Sequence, residues 1–165
     1  MGRSEVFEGL FQALADDAVL LALLGPKTAQ NVRLYRAYPP FQSMLTGNGL
    51  PGDRYEPQGR EGWIVMLESA PAMRATAQQY ETIYETMEIT FHIFATAYSL
   101  ADDVADRLDT FFHWTVPQQR DVQYGDRFVL FMRRFATEEQ YAQETKLYHK
   151  LHAYRLTLVL AEQVA

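Results

Sequence analysis

Cysteine is absent from the 165-residue sequence. This absence excludes a disulfide framework, a thiolate zinc site and a cysteine nucleophile, and it agrees with a reducing compartment. Long apolar runs are also missing. The longest, Ala18–Leu24, is far shorter than the roughly 20 residues that a helix needs to cross a bilayer. We therefore expect no membrane partner.

Basic residues are too dispersed for a nucleic-acid-binding surface. The formal net charge is −6, and Lys and Arg form no cluster along the chain. Because binding to a phosphate backbone requires cations grouped on one face, direct nucleic-acid binding is disfavoured. The N-terminal segment contains Glu5 and Glu8, which interrupt its apolar residues, so it does not resemble a signal peptide.

Catalytic motifs are missing as well. The sequence contains no Walker-type GxxxxGK[ST], no HExxH and no GxSxG pattern. These are the local signatures of phosphate cradles, zinc hydrolases and serine hydrolases, respectively. We therefore expect a protein that is not an enzyme and that has no catalytic residues, no cofactor and no metal.

Two sets of residues resemble metal ligands but lack the required geometry. His149 and His152 lie three residues apart in a predicted strand, where they would point to opposite faces and would not chelate one ion together. Four aspartates near the start of a predicted helix are explained by the helix dipole and by a solvated helix face. These aspartates are Asp102, Asp103, Asp106 and Asp109.

Residues 81–96 alternate between apolar and mostly polar side chains with a period of two. The apolar positions include Ile89, Phe91 and Ile93, and β-branched and aromatic residues are frequent, as they are in strands. Typical strands have about 5–6 residues. We expect a much longer strand here, one that projects beyond the core as a ribbon or an assembly surface.

Apolar residues at helical spacing predict three helices. The first covers residues 6–14, the second is Ala18–Leu24 with Asp16 or Asp17 as its N-cap, and the third covers residues 99–114. Side chains from these helices and from the long strand are expected to form the core. The expected core residues are Leu10, Leu14, Ile89, Phe91, Ile93, Val104, Leu108 and Phe111.

Four further strands complete the predicted fold, at residues 32–38, 63–68, 122–135 and 146–160. Gly125 is expected at a turn or bulge, residues 70–79 in a loop or hairpin arm, and residues 138–143 in a polar connection. The order of elements predicts an α+β fold, a mainly antiparallel sheet of four to five strands with two helical elements on one face. We expect a single domain over residues 1–165.

Residues 41–62 form a long polar insertion without periodicity, rich in Gly, Pro, Gln, Asn and Arg. Loops of this length are uncommon, and they are generally functional or disordered. We expect the segment to be mobile in the free subunit and ordered against a neighbouring subunit. Its expected contact residues are the apolar Phe41, Met44, Leu45 and Tyr55, with Arg54 and Arg60 as polar partners.

Two other groups are expected to contribute to an interface. The second helix is apolar nearly all round, so part of it is expected to meet a partner through Leu20, Leu21 and Leu24. Arg133 and Arg134 interrupt an apolar strand and would lie on opposite faces of it. One of the two is therefore expected to point toward the helix layer or a neighbouring molecule.

The order of these segments resembles that of phage tail-terminator, or tail-completion, proteins. FQALADDAVLLALLG followed by VRLYRAYPP is similar to the helix and strand that open this family. The likeness continues through WIVMLES, the long alternating strand, the helix SLADDVADRLDTFFH and the closing strand HAYRLTLVL. It covers most of the chain as an order of patterns, with residues 41–62 as an insertion relative to the compact family.

The resemblance implies a structural protein of a long-tailed phage or tail-like particle, assembled in the host cytoplasm and located at the head-proximal end of the virion tail. Members of the family form a ring, generally a hexamer, that caps the finished tail tube, stops its growth and meets the head connector. Expected partners are further copies of the chain, the tail-tube protein and the connector or neck protein. DNA would pass through the ring without specific binding, which an acidic chain suits.

Alternatives from two classes remain open on the sequence. A neck or head-completion protein and a tail-tube subunit are neighbouring structural roles. A small-molecule-binding α+β module or an unrecognised enzyme belongs to a different class. A pocket with convergent polar groups and perturbed pKa values would favour the enzyme.

Overall fold

The computed structural model describes residues 2–25, 34–35, 62–76, 83–114, 123–142 and 147–160. These residues form three helices, α1 (Gly2–Ala15), α2 (Ala18–Leu24) and α3 (Tyr98–Phe112). They also form six strands, β1 (Leu34–Tyr35), β2 (Gly62–Thr76), β3 (Ile83–Ala95), β4 (Gln123–Tyr124), β5 (Arg127–Ala142) and β6 (Leu147–Leu160). None of these helices is long and apolar enough to span a membrane.

The six strands form one sheet in the order β1-β2-β3-β6-β5-β4. β1 is parallel to β2, and every other neighbouring pair is antiparallel. The predicted α+β class is therefore confirmed, but the sheet is mixed because β1 is parallel to β2, and the prediction of four to five strands is too low. The difference arises because the predicted strand 122–135 is a hairpin of two strands, β4 and β5.

A two-residue turn joins β4 to β5 and explains the glycine predicted to mark a turn or bulge. Gly125 has a φ of 60°, a left-handed conformation that costs glycine little. Such turns match the twist of antiparallel hairpins. The hairpin packs against α1, where a Cβ on Gly9 would lie 2.1 Å from the Tyr124 ring. The close approach therefore depends on the missing side chain of Gly9.

Two strands extend beyond their predicted ends. Residues 138–142 belong to β5 and pair with β6 as far as Ala142 opposite Leu147, so the predicted polar connection at 138–143 is wrong. β2 likewise continues to Thr76 through residues predicted as a loop or hairpin arm. Backbone hydrogen bonds to a long neighbouring strand hold both extensions. Residues 138–141 are exposed, so this extension of β5 leaves no apolar pattern in the sequence.

The main core lies between one face of the sheet and the three helices. Phe91 of β3 contacts Phe112 of α3 and Tyr154 of β6, with ring centroids 5.0 and 5.6 Å apart. The predicted core is confirmed except at Phe111, which is only partly buried. The other predicted core residues, all buried, are Leu10, Leu14, Ile89, Phe91, Ile93, Val104 and Leu108.

The opposite face of the sheet carries a smaller apolar cluster. Trp63 and Val65 of β2 are fully buried there and pack with Phe94 of β3 and Leu147 of β6. The sheet therefore buries apolar side chains on both faces. Burial on both faces explains why residues 63–66 are apolar without interruption and do not alternate with polar residues.

Asp17 joins α2 to α3. Its carboxylate accepts a hydrogen bond from the backbone N–H of Leu20 at 2.9 Å, so its predicted role as the N-cap is confirmed. The same carboxylate accepts two bonds from Arg107 of α3, at 2.7 and 2.8 Å. The Arg107 guanidinium lowers the pKa of Asp17 below its ordinary value, and the Leu20 N–H adds to this effect.

Candidate functional site

The two histidines considered as metal ligands lie on opposite faces of β6, as their spacing predicts. His152 is 2% exposed and faces the helices. His149 lies on the other face, where it stacks on Phe94 at 4.4 Å between ring centroids. Within the described residues, no three or more His, Asp and Glu side chains are grouped so that they could hold a metal ion.

His149 instead contacts a histidine that sequence reasoning did not select. Its Nε2 lies 2.9 Å from Nδ1 of His92 on β3, so one neutral ring donates a hydrogen bond to the other. Burial lowers the pKa of both rings, and the neighbouring His149 lowers that of His92 further, to about 4. The pair arises from strand pairing between distant segments, which no local spacing reveals.

We expect His92 to make the fold less stable in acid. Its folded pKa of about 4 lies below the ordinary value of 6.5, so the unfolded chain binds the proton more tightly in this window. Its contribution to stability is fully present above pH 6.5 and is lost as the pH falls toward 4. Because solvent reaches part of the ring, we expect a loss of only roughly 1–2 kcal/mol.

Urea unfolding of the natural chain and of His92→Gln at about pH 7 and about pH 4.5 measures this contribution. The natural chain should lose more free energy of unfolding on acidification than the variant does. Gln140→Ala changes an exposed residue beside His149 without removing a titrating group, so it should keep the full loss. An equal loss in His92→Gln and the natural chain would contradict the expectation.

A polar network links α3 to the sheet inside the helix-covered face. Asp109 accepts hydrogen bonds from Tyr154 Oη at 2.6 Å and from Arg134 Nη1 at 2.5 Å. The Tyr154 oxygen also lies 3.0 Å from Nδ1 of His152. Burial lowers the pKa of His152 to about 4 and raises that of Tyr154, and the Asp109 carboxylate raises the Tyr154 pKa further.

The interpretation of the α3 aspartates as a solvated face is therefore wrong for two of them. Asp109 contacts Arg134, and Asp102 lies 2.6 Å from Nζ of Lys150. Asp103 and Asp106 are exposed, as expected. Helix periodicity correctly groups the aspartates, but their basic partners lie on β5 and β6, and only the sheet brings those strands beneath α3.

The predicted interface residues separate into three groups. Leu20 and Leu24 are fully buried in the subunit core, whereas Leu21 is 40% exposed beside Val19, which is 51% exposed. Arg134 points toward the helices and Arg133 is exposed, which confirms that one of the two arginines faces the helix layer. The remaining predicted contacts lie outside the described residues: Phe41, Met44, Leu45, Arg54, Tyr55 and Arg60.

Three glycines of the same undescribed segment have the spacing of a nucleotide-binding motif. Gly47, Gly49 and Gly52 form a GxGxxG pattern. That pattern indicates dinucleotide binding only where it follows a strand and opens a helix. The polar residues around it predict neither element, so it does not alter the expectation that the chain holds no cofactor.

The strongest candidate for an assembly surface is the pair of sheet edges, which the sequence did not predict. β4 pairs only with residues 127–128 of β5, and β1 pairs only with residues 64–65 of β2. Within the described part of the chain, residues 129–142 of β5 and 66–76 of β2 pair on one side only. Such edges present rows of backbone donors and acceptors that another strand can pair with.

The C-terminal part of β5 extends this edge. Residues 137–141 are all exposed, although they remain paired with β6. Exposed edge strands are usually short or blocked, because an open one recruits other chains. Among the described residues, this part of β5 is therefore a candidate surface for association.

The fold resembles that of one chain in a known particle. The protein matches no family model and no curated protein. A solved structure described as "Virion of native gene transfer agent (GTA) particle" contains a chain that it matches with a TM-score of 0.62 and 13% sequence identity. The match covers 96% of this chain and 97% of that chain. At this identity, the similarity is one of fold.

Proposed function

We propose that the chain is a structural protein of a phage-like virion and that it forms a ring at the head-proximal end of the tail. The ring caps the tail tube, ends its polymerisation and provides the surface that the head connector binds. Two independent likenesses support this proposal. The order of sequence elements resembles tail-terminator proteins, and the fold resembles a gene transfer agent virion chain over nearly its whole length.

The observation that carries the ring is that most of β2 and most of β5, toward opposite edges of one sheet, have no outer partner among the described residues. The β5 edge of one subunit is available to pair with the β2 edge of the next. Because the two surfaces differ, this contact is heterologous, and repeating it gives either a closed ring or an open filament. Closure at about six subunits would match the family that the sequence resembles.

The mechanism is steric and involves no catalysis. A ring that matches the last layer of the tube covers the surface on which further tube subunits would add. Its other face differs from the tube, so the connector or neck protein binds there and not elsewhere along the tail. DNA passes through the ring, and the net charge of −6 opposes adhesion of its phosphates.

We expect an engineered disulfide between the β5 and β2 edges to link subunits into a closed series. The natural chain has no cysteine, so each disulfide reports only the substituted positions. Glu68→Cys on β2, combined in turn with Thr137→Cys or Tyr141→Cys on β5, places both thiols on the helix side of the sheet. Oxidised protein and purified particles should show regularly spaced oligomers ending at one species, about a hexamer.

Two controls distinguish ring closure from random oxidation. Each single-cysteine variant allows at most one intermolecular disulfide per subunit, so it should give nothing larger than a dimer. Glu68→Cys combined with Asp106→Cys, an exposed position on α3, should give no series, because α3 is not at a sheet edge. If Glu68→Cys gave only dimers both with Thr137→Cys and with Tyr141→Cys, the head-to-tail arrangement would be refuted.

A further inference from the structure

A cleft lined by three tyrosines opens where β5 ends and β6 begins, beside the start of α3. It has a volume of about 220 Å³. The Tyr148 ring contacts the rings of Tyr98 and Tyr141, whose centroids lie 5.8 and 4.7 Å from its own. Tyr98 and Tyr141 are 47% and 49% exposed. Together the rings form an aromatic wall that solvent reaches.

The charged side chains at this cleft include two carboxylates and one ammonium group, which leaves an excess of negative charge. Both carboxylate oxygens of Glu139 lie 3.3 Å from Oη of Tyr98, which donates a hydrogen bond to them. Nζ of Lys150 lies 2.6 Å from Asp102 and 3.2 Å from Glu139, so two carboxylates share one ammonium group. The negative charges of Asp102 and Glu139 raise the pKa of Tyr98, as expected where the local potential is negative.

We propose that this tyrosine cleft binds an arginine side chain of a partner protein. The guanidinium stacks on the tyrosine rings and pairs with the carboxylate of Glu139. An aromatic face attracts a cation through its negative π-surface, and a nearby carboxylate adds a direct charge–charge attraction. The proposal does not depend on the ring, because it rests on the cleft of a single subunit.

Arginine fits the cleft better than lysine for two reasons. Its planar group stacks flat against an aromatic ring and offers several donors in a fixed fork, whereas the lysine ammonium is a strongly hydrated point charge. Lys150 already supplies an ammonium group between Asp102 and Glu139. The Glu139 side chain is 49% exposed, and its carboxylate has acceptor positions beyond those that Tyr98 and Lys150 use, so Glu139 and the tyrosine faces can bind a second, flatter cation. Tyrosine and arginine are also frequent anchors in protein interfaces.

The test titrates the full chain with N-acetyl-arginine amide and follows the tyrosine ring signals by nuclear magnetic resonance. We expect saturable shifts of Tyr98, Tyr141 and Tyr148 with a dissociation constant on the order of 10 mM. N-acetyl-citrulline amide has nearly the same shape without the charge, so it should bind at least about fivefold more weakly.

A matched pair of variants assigns the effect to the cleft. Glu139→Gln removes the carboxylate but leaves Lys150 its contact with Asp102, so the subunit should fold normally and bind the arginine probe about fivefold more weakly. Glu138→Gln changes the same charge one residue away, on the opposite face of β5, and should bind like the natural chain. Equal binding of the citrulline probe, unchanged binding by Glu139→Gln, or no saturable shift would each overturn the proposal.

Discussion

A strain that lacks this protein is expected to produce tail tubes of irregular length that do not join heads. If the ring covers the last layer of the tube, its absence leaves a surface on which further tube subunits can add. The connector also loses the surface that distinguishes the finished end. Electron microscopy of particles from the deletion strain measures both effects, and the yield of infectious particles should fall nearly to zero.

A point substitution separates assembly from folding. Leu21→Asp places a charge on the exposed apolar surface of α2, and in a closed ring the change is repeated in every subunit. It should reproduce the deletion phenotype while the purified subunit unfolds at its normal denaturant concentration. Gln12→Asp adds the same charge at an exposed polar position of α1; although it removes the hydrogen bond from Gln12 to Asp16, it should still give normal tails. Infectious particles with normal tails in the deletion strain would rule out the proposed function.

The largest loss of subunit stability is expected from Asp109→Ala. The substitution removes the acceptor shared by Tyr154 and Arg134, and it leaves the partly buried guanidinium without its carboxylate. Removing one member of a buried charged pair costs more than the pair contributes, because the remaining charge keeps its desolvation penalty. Since both side chains retain some exposure, we expect a loss of roughly 2–4 kcal/mol in free energy of unfolding.

Urea unfolding near pH 7 tests this value, and two variants calibrate it. Asp109→Asn keeps an acceptor for Tyr154 but loses the charge, so its loss should be smaller than that of Asp109→Ala. Asp106→Ala, at an exposed position one turn earlier on the same helix, should change stability by less than about 0.5 kcal/mol. A loss for Asp109→Ala no larger than that for Asp106→Ala would mean that the network contributes nothing to stability.

The pattern of apolar residues was sufficient to predict a helix or strand wherever one face of that element is buried. Alternation along residues 81–96 predicts β3, and helical spacing predicts α1 and α3, because burial of one face imposes a fixed period on the apolar residues. The N-cap at Asp17 was predictable for a related reason. Its carboxylate bonds to an N–H three residues away, so the whole interaction lies within one segment.

The candidate site was much less predictable, because every contact in it joins distant segments. The pairing of His92 with His149 requires β3 to lie beside β6, and the tyrosine cleft requires α3 to begin beside the β5–β6 hairpin. Leu20 and Leu24 were expected at an interface because α2 is apolar nearly all round, but packing of the helices on the sheet buries them within the subunit.

The sequence by itself determined the class of this protein: an α+β domain with a long strand, built without cysteine. The absence of cysteine belongs to the composition, and the helices and the long strand follow from periodic burial of apolar residues. Both can be recognised within single segments of the chain. Only the tertiary structure decided which polar groups face one another and which of the described strands lie toward the edges of the sheet. The order β1-β2-β3-β6-β5-β4 places two-residue strands at both ends of the sheet, so most of β2 and β5 lacks an outer partner among the described residues. Backbone hydrogen bonds set that order across long separations in sequence, and they leave little trace in the side chains.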